Sequence, residues 1–363
     1  MDHPYDLVTD DIATLAQQVL AGDPLDREQA RRLAAVEGDA LYDLFYWANK
    51  IRIRFVGRSV KFCSILAAKV GGCSEDCGFC SQSAHFKTNV ESHTVSPEGM
   101  ITAADEAQAN GASSFGIVNS GRGPTDRELD WLEPFFHKIA SEGRIRPCAT
   151  LGELSPQQAR RLREMGVLRV NHNLETSRRF FPHVVSTHSY EDRVRTIRIA
   201  REAGLSICSG GIFGMGEAWE DRLDVAFELR DLGADVVPVN FLNAIQGTPL
   251  YERVEPLPPM EALQIIAIYR FILPDREIKI AGGREKILRD LQSWIFFAGG
   301  SSFLIGNYLT TFGRSPGEDH QMLRDLGISY RTFDEVEREA PLDAVVAPSA
   351  GGEDSRVPLS VIQ

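Results

Sequence analysis

Long apolar runs are missing from this sequence: no window approaches the ~20 uninterrupted apolar residues that a membrane-spanning helix needs. Residues Met1 to Asp6 (MDHPYD) carry no basic stretch followed by an apolar core, so no secretory signal is expected. Basic side chains are in deficit, 39 Lys and Arg against 51 Asp and Glu, for a formal charge of −12. Nucleic acid and anionic membrane both reward clustered Lys and Arg, so neither is expected as the main partner. No repeat of fixed 20–50-residue period is visible. Cysteine is scarce, with six in 363 residues. In the cytoplasmic setting these absences favour, clustered thiols are more often metal ligands than disulfides. What remains, 43% hydrophobic and 25% charged residues, is ordinary for a globular chain and excludes wholesale disorder.

Residues from about Asp10 to Asn49 read as helical, since Leu15, Val19 and Leu20, then Leu33, Leu41, Leu44 and Phe45, recur at helical spacing among charges. Short apolar runs then alternate with amphipathic windows. The runs are Val60 to Ala67, Ser113 to Val118, Ile145 to Thr150, Val167 to Asn173, Ser206 to Phe213, Asp235 to Phe241, Glu277 to Ala281 and Ser302 to Ile305. The windows include Glu128 to Ser141, Pro156 to Met165, Glu191 to Ala203 and Met260 to Leu273. Gly111, Gly143, Gly166, Gly204 and Gly233 stand where helices should stop. Eight strand-then-helix units predict an α/β fold with parallel strands, and the number favours a closed (β/α)8 TIM-type barrel over an open sheet. The chain then divides into an N-terminal helical extension (1–55), the barrel (56–328) and a tail (329–363). From Pro341 the tail is rich in Ala, Pro, Gly and Ser, and it reads as loosely ordered.

Cys73, Cys77 and Cys80 form C-x3-C-x2-C in GGCSEDCGFCSQS, just after the first strand. Structural zinc would need a fourth ligand; there is no second C-x2-C pair, and His85 is the alternative donor. Three thiolates on one loop suit a [4Fe-4S] cubane with one iron unligated by protein. Gly71, Gly72 and Gly78 let the backbone wrap closely, and the mouth of a barrel is a place for chemistry. In the fourth strand, alternation puts Asn171, Asn173 and Glu175 on the barrel face, with Val170, His172 and Leu174 outward. It likewise turns Ile278 and Ile280 outward and Lys279 inward. A buried ammonium is costly unless an anion pairs with it; the alternative is a strand-end lysine snorkelling to solvent. The run Gly210 to Glu217 is too weak a pattern for a dinucleotide site, and His85, His172 and His188 otherwise read as structural.

The C-x3-C-x2-C spacing with Phe79 before the third cysteine resembles the signature of radical S-adenosylmethionine (SAM) enzymes. Within that superfamily, CSEDCGFCSQS, TLGELSPQQARRL, NHNLETS, CSGGIFGMGE, VPVNFLNAIQGTPL, AGGRE and NYLTTFGR resemble the biotin synthases over roughly Leu44 to Gly327. The resemblance implies a (β/α)8 barrel and a [4Fe-4S] cluster whose open iron chelates SAM. It also implies a 5′-deoxyadenosyl radical that abstracts hydrogen from unactivated carbons of dethiobiotin. It assigns Phe79, Asn173, Glu175 and Arg193 to SAM, although Arg193 alone would read as a surface helix arginine. Asn171, Asn173, Asn240, Thr310 and Thr311 fall to the substrate, the amides facing its ureido ring and the hydroxyls its carboxylate tail. A flavodoxin- or ferredoxin-type electron donor and a homodimer are implied as well.

The sequence departs from that family at a second cluster, a [2Fe-2S] held by three cysteines and an arginine and regarded as the sulfur donor. Cys148 and Cys208 match two of its ligands, but Gly116 replaces the third cysteine and Lys279 the arginine. Cys63, on the neighbouring first strand, could replace the missing thiol; its alternative is a small buried hydrophobe. Lysine could ligate only as a neutral amine or act as a point charge, so Lys279 is a candidate fourth ligand, and a four-iron cluster with an extra sulfide is open beside [2Fe-2S]. Gly116 and Lys279 also keep open a radical SAM enzyme acting on another substrate, by acyl-chain sulfur insertion or rearrangement. A non-enzymatic iron–sulfur protein is the remaining rival. The stretch Val118 to Gly123, near the expected SAM amino group, also differs from the family.

Overall fold

The computed structural model describes residues 4–339 except 252 and 312. Eight parallel strands close on themselves: β1 (Val60–Val70), β2 (Ser114–Asn119), β3 (Arg146–Thr150), β4 (Arg169–Asn171), β5 (Ser206–Cys208, resumed at Gly211–Phe213), β6 (Val236–Phe241), β7 (Glu277–Ile280) and β8 (Ser302–Leu304). Closure runs through Lys61↔Ser302, Phe62↔Phe303 and Cys63↔Leu304. The expected barrel is therefore present, each stave overlapping one of the eight apolar runs, with β1 continuing past Ala67 to Val70 and β2 past Val118 to Asn119.

Two staves differ from the expectation. The regular ladder of β4 ends at Asn171; beyond it the His172 and Leu174 N–H groups still donate to the Cys208 and Gly210 carbonyls, and Glu175 takes a left-handed φ of 69° where it bridges to Gly211. β5 is interrupted at Ser209 and Gly210, where a Cβ on Gly210 would lie 1.9 Å from the Pro238 carbonyl oxygen. Only glycine tolerates so close a backbone crossing.

Reciprocal capping boxes start the helices between strands: Thr125 with Glu128, Ser155 with Gln158, Ser189 with Asp192 and Ser315 with Glu318. Gly143 ends the helix Asp126–Glu142 in the left-handed region, with φ 59°. The helix Pro259–Ile272 is buried all round from Ala262 onward, because the N-terminal helices cover its outer side. Gln264 donates from there to the carbonyls of Leu33 and Val36, and Arg31 pairs with Glu220 at 2.9 Å. The extension (helices Pro4–Leu20, Arg27–Ala34 and Ala40–Phe55) is thus packed on the barrel's outer layer.

The expectation of a loose tail from 329 needs correction as far as the chain is described. Tyr330 and Arg331 pair in parallel with Val60 and Lys61, and a helix follows over Phe333–Glu339. The Tyr330 ring stacks on Phe62 at 4.6 Å, which supplies the apolar anchor that composition hid. The stretch from Pro341 lies outside the described residues. Among the described residues, no helix is long and apolar enough to cross a membrane.

Candidate functional site

Every site residue named from the sequence borders one cavity of about 410 Å³. At its mouth, Cys73, Cys77 and Cys80 follow the end of β1. The loop carrying them is tied to itself by Cys73 N–H to the Gln82 carbonyl at 3.1 Å and Ala84 N–H to the Cys73 carbonyl at 2.8 Å. Gly78 N–H donates to the Val184 carbonyl at 2.8 Å, pinning the loop to the segment after β4. Glu75 and Asp76 fasten the same segment: Glu75 accepts from Thr187 at 2.8 Å and faces His188 Nδ1 at 2.7 Å, while Asp76 accepts from the Ser186 and Thr187 backbone N–H groups. Burial alone would raise the Asp76 carboxyl, but these donors outweigh it and hold it at about 2. Burial pushes the Cys77 thiol up to about 12 against the pull of Arg193, so it yields its proton at neutral pH only to a metal. His85, the alternative zinc ligand, is turned to the Ser74 carbonyl at 2.9 Å. Among the described residues, no three of His, Cys, Asp and Glu close around a single ion. A cubane, which spreads its thiolates wider than one zinc does, fits this donor set better.

Deeper in the barrel the structure brings Cys63, Cys148, Cys208 and Lys279 together. Lys279 Nζ lies 3.3 Å from Cys208 Sγ and 3.6 Å from Cys63 Sγ. Lys279 is 7% exposed and does not snorkel, while Ile278 and Ile280 are buried on the helix side. Burial lifts the Cys148 thiol to about 12, opposed by Arg169 and Lys279. Burial lifts Cys208 too, yet Lys279 is held above its ordinary range by Cys208 and Cys63, which outweigh its own burial. Those directions belong to different states. Without metal the Cys148 and Cys208 thiols keep their protons; with thiolate ligands formed, the ammonium stays charged. Three soft thiols and a facing cation fit an anionic iron–sulfur cluster.

Between the two triads lies a polar wall. Arg193, buried rather than on the surface, donates to the Asn173 carbonyl at 2.9 Å and reaches Glu175 at 3.4 Å, while its Nε has no hydrogen-bond partner among the described residues. Burial raises the Glu175 carboxyl against Arg193 and Asn173. Asn173 donates to Glu175 at 3.4 Å and leaves its Oδ1 a buried acceptor without a donor among the described residues. Asn240 spans the Gly211 carbonyl and the Gly282 N–H, at 3.1 and 3.0 Å. Thr310 meets Ser81 of the cysteine loop at 3.2 Å. His172, expected to point outward, also borders the cavity. Burial keeps its imidazole neutral, assisted by Arg193 and His188.

The residues match known proteins as follows. Residues 69–229 match the radical SAM superfamily, and residues 238–329 match the Biotin and Thiamin Synthesis associated domain. A protein named biotin synthase in Heliobacterium modesticaldum is 50% identical over 312 residues, 86% of this chain and 95% of its own. One in Geobacter sulfurreducens is 48% identical over 320 residues, 88% and 97% of the two chains. The chain belongs to the biotin synthase family. It is a radical SAM sulfurtransferase, and the superfamily match carries with it a [4Fe-4S] cluster and SAM. Among solved structures, methylornithine synthase shares the fold, with TM-score 0.76 at 18% identity over 92% of this chain and 100% of its own.

Three features escaped the sequence reading: Arg169 in the inner layer, the Glu75–Asp76 fastening, and Asn119. Both polar atoms of the Asn119 amide are buried beside the cavity without hydrogen-bond partners among the described residues. Arg169 had a signal, since it shares the period of Asn171 and Asn173.

Proposed function

We infer that this biotin synthase family member converts dethiobiotin to biotin, taking sulfur from an inner iron–sulfur cluster on Cys63, Cys148 and Cys208. Cys73, Cys77 and Cys80 hold the [4Fe-4S] cluster; Phe79, Asn173, Glu175 and Arg193 receive SAM; Asn171, Asn173, Asn240, Thr310 and Thr311 receive the substrate. The observation that carries this reading is that both thiol triads border a single cavity. The bound groups supply cleavage of unactivated C–H bonds and a sulfur atom, which no protein acid or base can do. The chain's own task is placement. The unpartnered Asn173 Oδ1 suits a urea N–H, and the unpartnered Arg193 Nε suits a carboxylate. Ile65, Val118, Ile212 and Leu304 line the same space and keep water from it.

Lys279, facing two sulfurs as an ammonium, supports a charge partner rather than a fourth ligand. That leaves three protein ligands and suits a four-iron cluster with an extra sulfide beside the [2Fe-2S] alternative. All six cysteines are unpaired, in keeping with a cytoplasmic setting. Following the family resemblance, the reductant is a flavodoxin- or ferredoxin-type protein and the working unit a homodimer. The test is anaerobic reconstitution with iron and sulfide, followed by SAM, dethiobiotin and a strong reductant. Biotin is expected. Deoxyadenosine without biotin would overturn the substrate, and iron content unchanged by Cys63→Ala would overturn the inner site.

A further inference from the structure

Arg169 is the cavity residue that the reading above leaves without a task. It opens β4 in register with Cys148 of β3 and Ser206 of β5, so its side chain leaves the barrel wall beside the Cys148 thiol. It is 7% exposed. Nε donates to Ser206 Oγ at 3.3 Å, and Ser206 Oγ donates onward to Asp235 Oδ2 at 3.1 Å. Asp235 is itself fixed by the Ile207 N–H at 2.7 Å. The guanidinium is therefore held along its Nε edge. Among the described residues, its two terminal amino groups have no hydrogen-bond partner, although they border the cavity. Glu277 and, once deprotonated as cluster ligands, Cys148, Cys208 and Cys63 are the anions that act on it. Glu277 already pairs with Lys61 at 3.0 Å, which leaves the three sulfurs as the anions that would justify burying this cation.

We propose that Arg169 is a positioning residue of the inner cluster, its terminal amino groups donating to cluster sulfur from β4 while Lys279 faces the cluster from β7. The inference rests on the three-thiol reading above. A planar fork can span two sulfurs at fixed spacing, whereas Lys279 acts as a point charge. Together the two cations offset most of the charge of three thiolates. Ser206 and Asp235 aim the fork.

The test uses the full chain, reconstituted anaerobically, with iron, sulfide and the midpoint potential of each cluster as readouts; the mouth cluster serves as internal control. Arg169→Met should lose the inner cluster's iron and sulfide while the mouth cluster stays, or keep them at a more negative inner potential, because removing a cation disfavours the reduced form. Unchanged iron, sulfide and inner potential would overturn the proposal. Should Arg169→Met lose both clusters, Arg169→Lys decides. Full iron with a shifted inner potential supports the fork, and an unshifted one overturns it. Ser206→Ala should shift the same potential in the same direction by a smaller amount. The underlying reading fails separately: if Cys63→Ala retains the inner iron, there is no three-thiol site for Arg169 to serve.

Discussion

Substituting Asp319 by leucine should destabilise the protein by about 3–5 kcal/mol, the range for breaking a buried ion pair by removing one partner. Arg284 Nη2 lies 2.6 Å from Asp319 Oδ2, with side chains 1% and 0% exposed. Arg284 also donates to Gln292 at 2.8 Å and the Leu304 carbonyl at 3.3 Å, and its Nε lies 3.3 Å from Glu285, which is left as its one carboxylate among the described residues once Asp319 is gone. The two partners shift unequally: Arg284 is held charged despite burial, whereas burial lifts the Asp319 carboxyl more than Arg284 lowers it. Desolvation thus opposes the attraction at both partners, and the penalty of the single variant comes from a buried cation left with Glu285 alone. At ~2.1 cal/mol/K of unfolding entropy per residue, roughly 0.8 kcal/mol/K for this chain, Tm should fall by about 4–7 °C. Replacing both partners, Arg284→Met with Asp319→Leu, should return to within about 1 kcal/mol of the parent. Thermal unfolding by circular dichroism of all four proteins closes the double-mutant cycle. Because Glu285, next to Arg284, receives the Tyr308 hydroxyl at 2.7 Å beside Thr310 and Thr311, the single variant should also raise KM for dethiobiotin. A Tm within 1 °C of the parent, on the order of the smallest effect the cycle resolves, or a double variant as unstable as the single, would refute this account.

Other outcomes follow from the same geometry. Gly116→Cys in a Cys63→Ala background should restore inner iron, since its Cβ would lie 3.8 Å from Cys148 Cβ; its 3.3 Å contact with Ile65 Cγ2 should cost about 1–3 kcal/mol, read by iron assay and Tm. Asn173→Ala should weaken dethiobiotin by roughly tenfold or more in KM, as expected when a buried urea N–H loses its acceptor, and an unchanged KM would remove it from the substrate site. The Asp76 carboxyl is lowered from 3.8 to about 2, so its stabilisation is present above about pH 4 and is lost as pH falls toward 2. Asp76→Asn should flatten the Tm profile across that window, and an unaltered slope would count against the Glu75–Asp76 fastening.

The eight staves and the glycine stops could be read along the chain because strand and helix periods are local properties. So could the mouth triad, whose cysteines share one loop, and the inward turn of Lys279, which needs only alternation between Ile278 and Ile280. What could not be read depends on distant partners. The break in β5 arises from the approach of Pro238, and the order at Tyr330 from stacking on Phe62, residues far away in sequence. Cys63 joins Cys148 and Cys208 only because the barrel closes. Arg169 was legible by the alternation that revealed Asn171, but its meaning required seeing Ser206 and Asp235 hold one edge of it.

The length of β1 has a consequence in time as well as space. Cys63 lies near the start of that strand and the mouth loop begins beyond its end, with roughly 3.3 Å of rise per residue between. The Lys61–Glu277 pair spans β8 at the strands' N-terminal ends, and the inner thiols share their cavity with the mouth. On the function proposed above, iron and sulfide entering by the mouth would pass the space assigned to SAM and substrate, so assembly of the inner site would precede substrate binding and any replenishment of its sulfur would wait for product to leave.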